Sequence, residues 1–405
     1  MTKRALLVAA VLALSCLAPQ SSRALTLPSW RVAWAAAENT SARSSEWTRH
    51  RVLDQLPTPA DVTYRLVVRP TIGGTSVRLR WSNVNAVKGL PIGAATVGIR
   101  QGASGASVVP GTLRRLTFRG RRSVLVPADA ALRTDAVAFD VRPFQDLVVS
   151  LHVPTAVLPT WHSQTYTTQY RTASGAGDLT QATSGAAFSI RQEPIPWLDA
   201  VEVRTSVGRV VVALGDSITD GDQARGFDDA LMERHATYPD VLARRIATTH
   251  GIETAAVVNE GINGDTAPGV LARLDHDVLD LAGVTDVVLE IGTNDLTRRA
   301  STQTVIGDIT EITVLLHRHG IRVAAATLVP RGPRGRSDAI ATVNAFLRSS
   351  PLFDDGVLDI HRVVAQDDGN TWRRGYDSGD FTHPSAAGYA AIARSMRLAF
   401  LQPVV

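Results

Sequence analysis

The sequence predicts an α/β fold: a three-layer domain on a parallel sheet, preceded by an antiparallel β-sandwich of the jelly-roll kind. Two observations carry that expectation. From about residue 62 to 203, short runs of alternating apolar and polar residues recur between breaks rich in Gly, Pro, Ser and Asp, the pattern of many short antiparallel strands. From Arg209 onward, runs that are apolar throughout alternate with helical stretches, the pattern of parallel strands buried on both faces. At 405 residues the chain has room for two or three domains of about 150 residues each.

Taken in order, residues 1–24 have a cationic start, an apolar stretch from Ala5 to Ala18, a Pro break and small residues Ser22 and Ala24. This is the three-part layout of a secretory signal peptide, with cleavage expected near Ala24 and a secreted mature chain. The apolar stretch falls short of the roughly 18 residues a membrane span needs, so no stable membrane anchor is expected. Cys16 is the sole cysteine and lies inside this leader, which leaves the mature chain without disulfide or thiolate chemistry. An acylated Cys16 is the competing reading, and Ala13 and Leu14 fit such a site poorly. Residues 25–61 form an N-terminal extension.

The sandwich is expected over 62–203. In SVRLRWSNV, Val77, Leu79 and Trp81 alternate with Arg78, Arg80 and Ser82, the period of a strand with one wet face. AATVGIR, RRLTFRG, RSVLVPA, AVAFDV, DLVVSLHV, QTYTTQYRT and AAFSIRQ follow, separated by breaks such as GASGASVVPG and TASGAGD. Pro194 to Pro196 is placed at the crossing into the second domain, 204–405. There, VVVAL precedes a helix from about Pro239 to His250, AVVN one from about Pro268 to Leu281, and DVVLEIG one near Thr304 to His319. RVAAATLV precedes a helix near Ser337 to Ser349, and VLDI one from about Pro384 to Leu401.

Composition narrows the partners. Charged residues make up 20% and hydrophobic ones 44%, which excludes global disorder. The formal net charge of +4 falls close to zero once Lys3, Arg4 and Arg23 of the leader are set aside. Nucleic acid is therefore not an expected partner, because phosphate binding needs a concentrated cationic surface.

Ligands of an open parallel sheet bind beyond the carboxyl ends of its strands. Unusual polar blocks stand there: GDSITDG at 215–221, NEGINGDT at 259–266, GTND at 292–295, and DFTHP at 380–384 before the last helix. Each alone reads equally well as a turn or cap; their joint placement at one sheet edge favours a site. These four blocks, in this order, resemble the SGNH or GDSL hydrolase superfamily of esterases, lipases and carbohydrate deacetylases, over about 200 residues from Arg209. The resemblance implies a flavodoxin-like sheet, with Ser217 as nucleophile, Gly264 and Asn294 in the oxyanion hole, and Asp380 and His383 as the acid–base pair. The N-terminal half is similar in general pattern to the β-rich domain that precedes some secreted actinobacterial members.

The chemistry of these residue types agrees. A serine hydroxyl needs a base to accept its proton, and an imidazole titrates near neutrality. Asp380, three residues before His383, can fix the ring's tautomer and stabilise the imidazolium. The backbone N–H groups of Ser217 and Gly264 and the Asn294 amide can receive the charge of an oxyanion. Asp377 competes with Asp380, and His361 competes with His383. His317 and His319 suit a helix C-terminus, and Asp216 and Asp295 are expected to organise their loops. Trp161 and His162 read as core or as a sugar-facing surface. There is no HExxH, paired-cysteine site, Walker loop, GxGxxG or GxSxG, so neither cofactor nor metal is expected. The expected substrate is an ester, an acylated polysaccharide favoured over a glycerolipid. A carbohydrate-binding protein without turnover is the alternative from another class.

Overall fold

The computed structural model describes residues 27–38, 60–223, 232–249, 254–332, 335–354 and 356–398. The leader expected over 1–24 lies outside the described residues. No helix among those described is long and apolar enough to cross a membrane.

The C-terminal domain is built on a five-stranded parallel sheet. Its spatial order is Ala255–Gly261, Arg209–Gly215, Asp286–Glu290, Arg322–Ala326 and Val357–Leu358. In sequence terms this is 2-1-3-4-5, the flavodoxin-like arrangement, with its switch point at the first strand. Because successive strand residues point to opposite faces, Val210, Val212 and Leu214 enter one core while Val211 and Ala213 enter the other. Helices Thr302–Arg318 and Ser337–Ser349 cover the first face, and Tyr238–Thr248 and Ala386–Ser395 cover the second. The expected helix over 268–281 is instead an α-helix, Ala267–Leu274, widening into a π-helical turn, Asp275–Leu279. VLDI yields only Val357–Leu358 as strand, because Ile360 already starts a short helix capped by Asp359.

The N-terminal half is an antiparallel sandwich. One sheet runs Ser29–Ala35, Leu198–Thr205, Gly74–Ser82 and Ala131–Arg133, with Val137–Val141 also on Gly74–Ser82. The other is six-stranded, with Val62–Val68, Leu147–Val153 and Ala94–Ile99 at its centre. Ser29–Ala35 belongs to the residues expected as an extension. It pairs along Leu198–Thr205 and lies against the C-terminal half, where the Val32 N–H donates to the Ala282 carbonyl at 2.9 Å. Ile195–Pro196 pairs with Trp161–His162 inside the sandwich, so the crossing is the short turn 206–208.

The wet face expected of Gly74–Ser82 is not wet. Val77, Leu79 and Trp81 are buried, but so are Arg80 and Ser82, because the second domain covers that face. Arg80 pairs with Asp199 at 2.9 Å and donates to the His276 carbonyl at 3.1 Å. His276 in turn lies 2.6 Å from Asp277 through Nδ1 and 3.2 Å from Asp199 through Nε2. One hydrophobic cluster runs from Val32 and Leu79 through to Val210 and Leu289, so the two halves share a core. Trp161 and His162 are buried too, and His162 reaches Asp220 of the neighbouring domain rather than solvent.

Candidate active site

Three strand ends and one loop assemble the site. After Arg209–Gly215 the chain turns into a single helical turn, Ser217–Asp220, capped by Asp216, whose carboxylate accepts the Ile218 N–H at 3.0 Å. Ser217 is thereby placed at the sheet edge on a well-anchored turn. The final loop is closed by bonds from the Ser378 N–H to the His383 carbonyl and from the Ser385 N–H to the Tyr376 carbonyl. It carries His383 back to the nucleophile: Nε2 lies 2.9 Å from Ser217 Oγ, and Nδ1 lies 2.6 Å from Asp380 Oδ2. The three side chains sequence placed in one site form one hydrogen-bonded chain.

Electrostatics follow from the contacts. Partial burial works against ionisation of Asp380, but the His383 ring and the backbone N–H groups of His383 and Thr382 outweigh it and hold the carboxylate at about 2. Burial likewise works against a charged His383, yet Asp380, with Asp222 and Asp216 beyond it, raises the imidazole above its ordinary value. A base poised this way accepts a proton readily.

On the opposite wall, Gly264 sits in the loop after Ala255–Gly261 with φ +78°; its carbonyl accepts from Arg298 at 2.8 Å. Asn294 opens the short helix Thr293–Thr297 and donates to the Asp265 carbonyl at 2.9 Å and to Asp216 at 3.2 Å. Its amide thus ties the glycine loop to the serine turn. Burial pushes Asp216 up to about 6, beside the carboxyl of Glu290, which is also buried and raised.

The competing candidates lie elsewhere. Asp377 accepts the N–H groups of Gly379 and Phe381 and shapes the loop. His361 bonds the Gly369 carbonyl, and His317 pairs with Asp354. Asp295 accepts the Ala267 N–H, an organising contact of the kind expected. Among the described residues one trio could offer metal-ligand atoms, Asp146, Glu233 and His235. Arg69 and Arg100 already compensate its carboxylates.

Sequence reasoning missed a second carboxylate. Asp222 Oδ2 stands 3.6 Å from His383 Nε2, held by Asn263 at 2.7 Å and by longer contacts of 3.4 Å from Gln164 and Tyr166 of the sandwich domain. Asp222 lies just past the GDSITDG block, but two of its partners come from a loop more than fifty residues earlier, and no local pattern announces that meeting.

Comparison with known proteins places this geometry. No curated protein matches the chain. A GDSL-like lipase from Bacteroides thetaiotaomicron is 22% identical and covers 48% of this chain and 87% of its own, with a TM-score of 0.37. A lipase/acylhydrolase from Enterococcus faecalis is 24% identical over 46% and 92%, TM-score 0.38. An acetylxylan esterase from Geobacillus stearothermophilus is 20% identical over 48% and 94%, TM-score 0.39. Residues 213–391 match the model of the GDSL-like lipase/acylhydrolase family, a stretch that contains every residue of the serine–histidine–aspartate chain and its facing wall. Residues 213–391 are thus a domain of the GDSL-like lipase/acylhydrolase family, whose members hydrolyse esters.

Proposed function

We propose that the protein is an exported serine esterase that removes short acyl groups, acetyl above all, from a carbohydrate through an acyl-enzyme at Ser217. The observation that carries the reaction is the hydrogen-bonded chain from Ser217 Oγ through His383 to Asp380. His383 Nε2 takes the hydroxyl proton as Oγ bonds to the ester carbon, and the carbonyl electron pair moves onto oxygen. The N–H groups of Ser217 and Gly264 and the Asn294 amide receive that charge, each such donor worth about 3 kcal/mol in the transition state. Collapse expels the alcohol, which takes the proton from His383. Water then repeats the sequence on the acyl-enzyme, releasing the acid and restoring Ser217.

The surroundings support a polar substrate. Asp222 flanks the histidine, and Gln164 and Asn263 are bonded around Asp222. Beyond Thr293 a cleft of about 460 Å³ is lined in part by Arg299, Arg331 and Arg336. The arginines of that cleft, beside Leu296 and Ile340, offer donors to a hydroxyl-rich group. One observation favours a lipase or phospholipase instead: Phe381, between Asp380 and His383, is a large apolar side chain left 52% exposed.

Hydrolysis of p-nitrophenyl acetate is expected to vanish in Ser217→Ala and His383→Ala, and undiminished activity in both rejects the site. Acetate release from acetylated xylan or pectin is expected to exceed fatty-acid release from glycerolipids; the reverse order selects the lipase reading.

A further inference from the structure

Asp222 is a buried carboxylate, only 7% exposed, with no arginine or lysine paired to it among the described residues. Its partners are neutral donors: Asn263, Gln164 and Tyr166. Burying an anion with neutral donors alone is costly, and the group able to offset that charge is the ring of His383, 3.6 Å away. That separation is too long to compete with Ser217 Oγ, at 2.9 Å, for the Nε2 proton, yet short enough for strong charge–charge attraction.

The position of Asp222 is fixed from several directions. Its N–H donates to the Ser217 carbonyl at 2.9 Å, and its own carbonyl accepts the Tyr389 hydroxyl at 2.7 Å. Gly221, at φ +111°, makes the turn that brings it back; a Cβ there would lie 2.3 Å from Thr237 Cγ2. From the other domain, Tyr166 holds a left-handed backbone at φ +49°, a conformation a bulky aromatic residue rarely adopts and one concentrated at functional sites. Gln164 also accepts from Asn263 at 3.0 Å.

We propose that Asp222 is a positioning residue that stabilises the His383 imidazolium from the side opposite Asp380, and that the sandwich domain sets its position through Gln164 and Tyr166. The inference rests on the serine–histidine reading above. It gives the β-rich domain a part in catalysis. The other charged or titratable groups facing this pair are Asp216 and Asp380 around His383, Asp220, Glu193, Tyr166 and Tyr389 around Asp222, and Arg331 toward Asp216 and Asp380.

The test is the pH profile of kcat/KM for p-nitrophenyl acetate, whose acid limb reports the free-enzyme imidazole. Asp222→Asn keeps the shape and removes the charge. Its acid limb is expected about one pH unit below that of the wild type, with kcat down about tenfold or more; Asp222→Glu keeps the limb near its original place. Should the Asn variant fail to fold, Asp222→Ser carries the same expectation. An unmoved acid limb, with activity merely scaled down at every pH, overturns the proposal. For the domain's part, Tyr166→Phe with Gln164→Ala is expected to cost several-fold in kcat/KM in the wild type and nothing further in the Asp222→Asn background; an equal loss in both backgrounds overturns that part. Full activity in Ser217→Ala would sink the underlying reading, whereas a dead Ser217→Ala beside an unmoved Asp222→Asn profile sinks this inference alone.

Discussion

Gly264 shows how a single backbone angle can matter more than space. A Cβ built there would find only Arg298 Nη2, at 4.0 Å, so an alanine fits sterically. What it cannot do cheaply is hold φ at +78°, a left-handed conformation costing a side-chain-bearing residue about 1–2 kcal/mol. The strain can be relieved by rotating the peptide, which swings the 264 N–H away from the developing oxyanion. Gly264→Ala is therefore expected to lower kcat about tenfold with KM little changed, since the donor is used in the transition state more than in the bound substrate. A variant with unchanged kcat would remove Gly264 from the oxyanion wall. The polar blocks that hold this glycine, Ser217, Asn294, Asp380 and His383 were legible in the sequence because each follows an apolar strand or precedes the last helix, where an open sheet puts ligands; the part given to each residue came from the resemblance to the SGNH hydrolases. Asp222 and its Gln164–Tyr166 support were not, because their meeting depends on how two domains pack.

At the scale of elements, the same division holds. The strands of the parallel sheet and the helix Ser337–Ser349 follow from apolar runs and helical period alone. Ser29–Ala35 does not: SWRVAWA is short, carries a central arginine, and is a strand because Leu198–Thr205 and the hydrolase domain offer it edges to pair with. Nor does the π-helical turn Asp275–Leu279, whose widening lets His276 and Asp277 face the sandwich. Arg273, in the last turn of the preceding helix, binds Asp265 at 2.8 Å and Asp277 at 2.9 Å, and donates to the carbonyls of Gly215 and Glu260. It joins the ends of the first two strands to the loop whose Asp265 carbonyl holds Asn294. Arg273→Ala leaves Asp265 without its cation and Asp277 with His276 alone, and a loss of about 3 kcal/mol is expected, read as a lower urea midpoint. A drop below about 1 kcal/mol would show that solvent reaches the pair and that the helix end is not the clamp described.

Over the whole molecule, the two domains meet through buried charge as well as shared core, and the sign of its pH dependence can be worked out. Burial alone would lower the His276 imidazole, but Asp199 from the sandwich and Asp277 from its own turn overcome it and raise the group to about 10. Unfolded, the same ring titrates near 6.5. Protons are then bound more tightly by the native state, so this contribution is fully present below about pH 6.5 and drains away as pH rises through about 10. His162 works in the same direction: it is buried, with Nδ1 on the Ala37 carbonyl and Nε2 shared between the Gln164 carbonyl and Asp220, and it too is raised. Buried acids such as Glu260 also make stability fall with pH, so the histidine's share must be isolated by substitution. Urea midpoints measured from pH 6 to 10.5 are expected to fall steadily in the wild type. In His276→Gln the starting stability should be lower and the slope over that interval shallower, because the residue that releases a proton there is gone. Equal slopes in the two proteins would mean that His276 is neutral in the native interface, and that the domains are held by Arg80, Arg273 and the common apolar core without it.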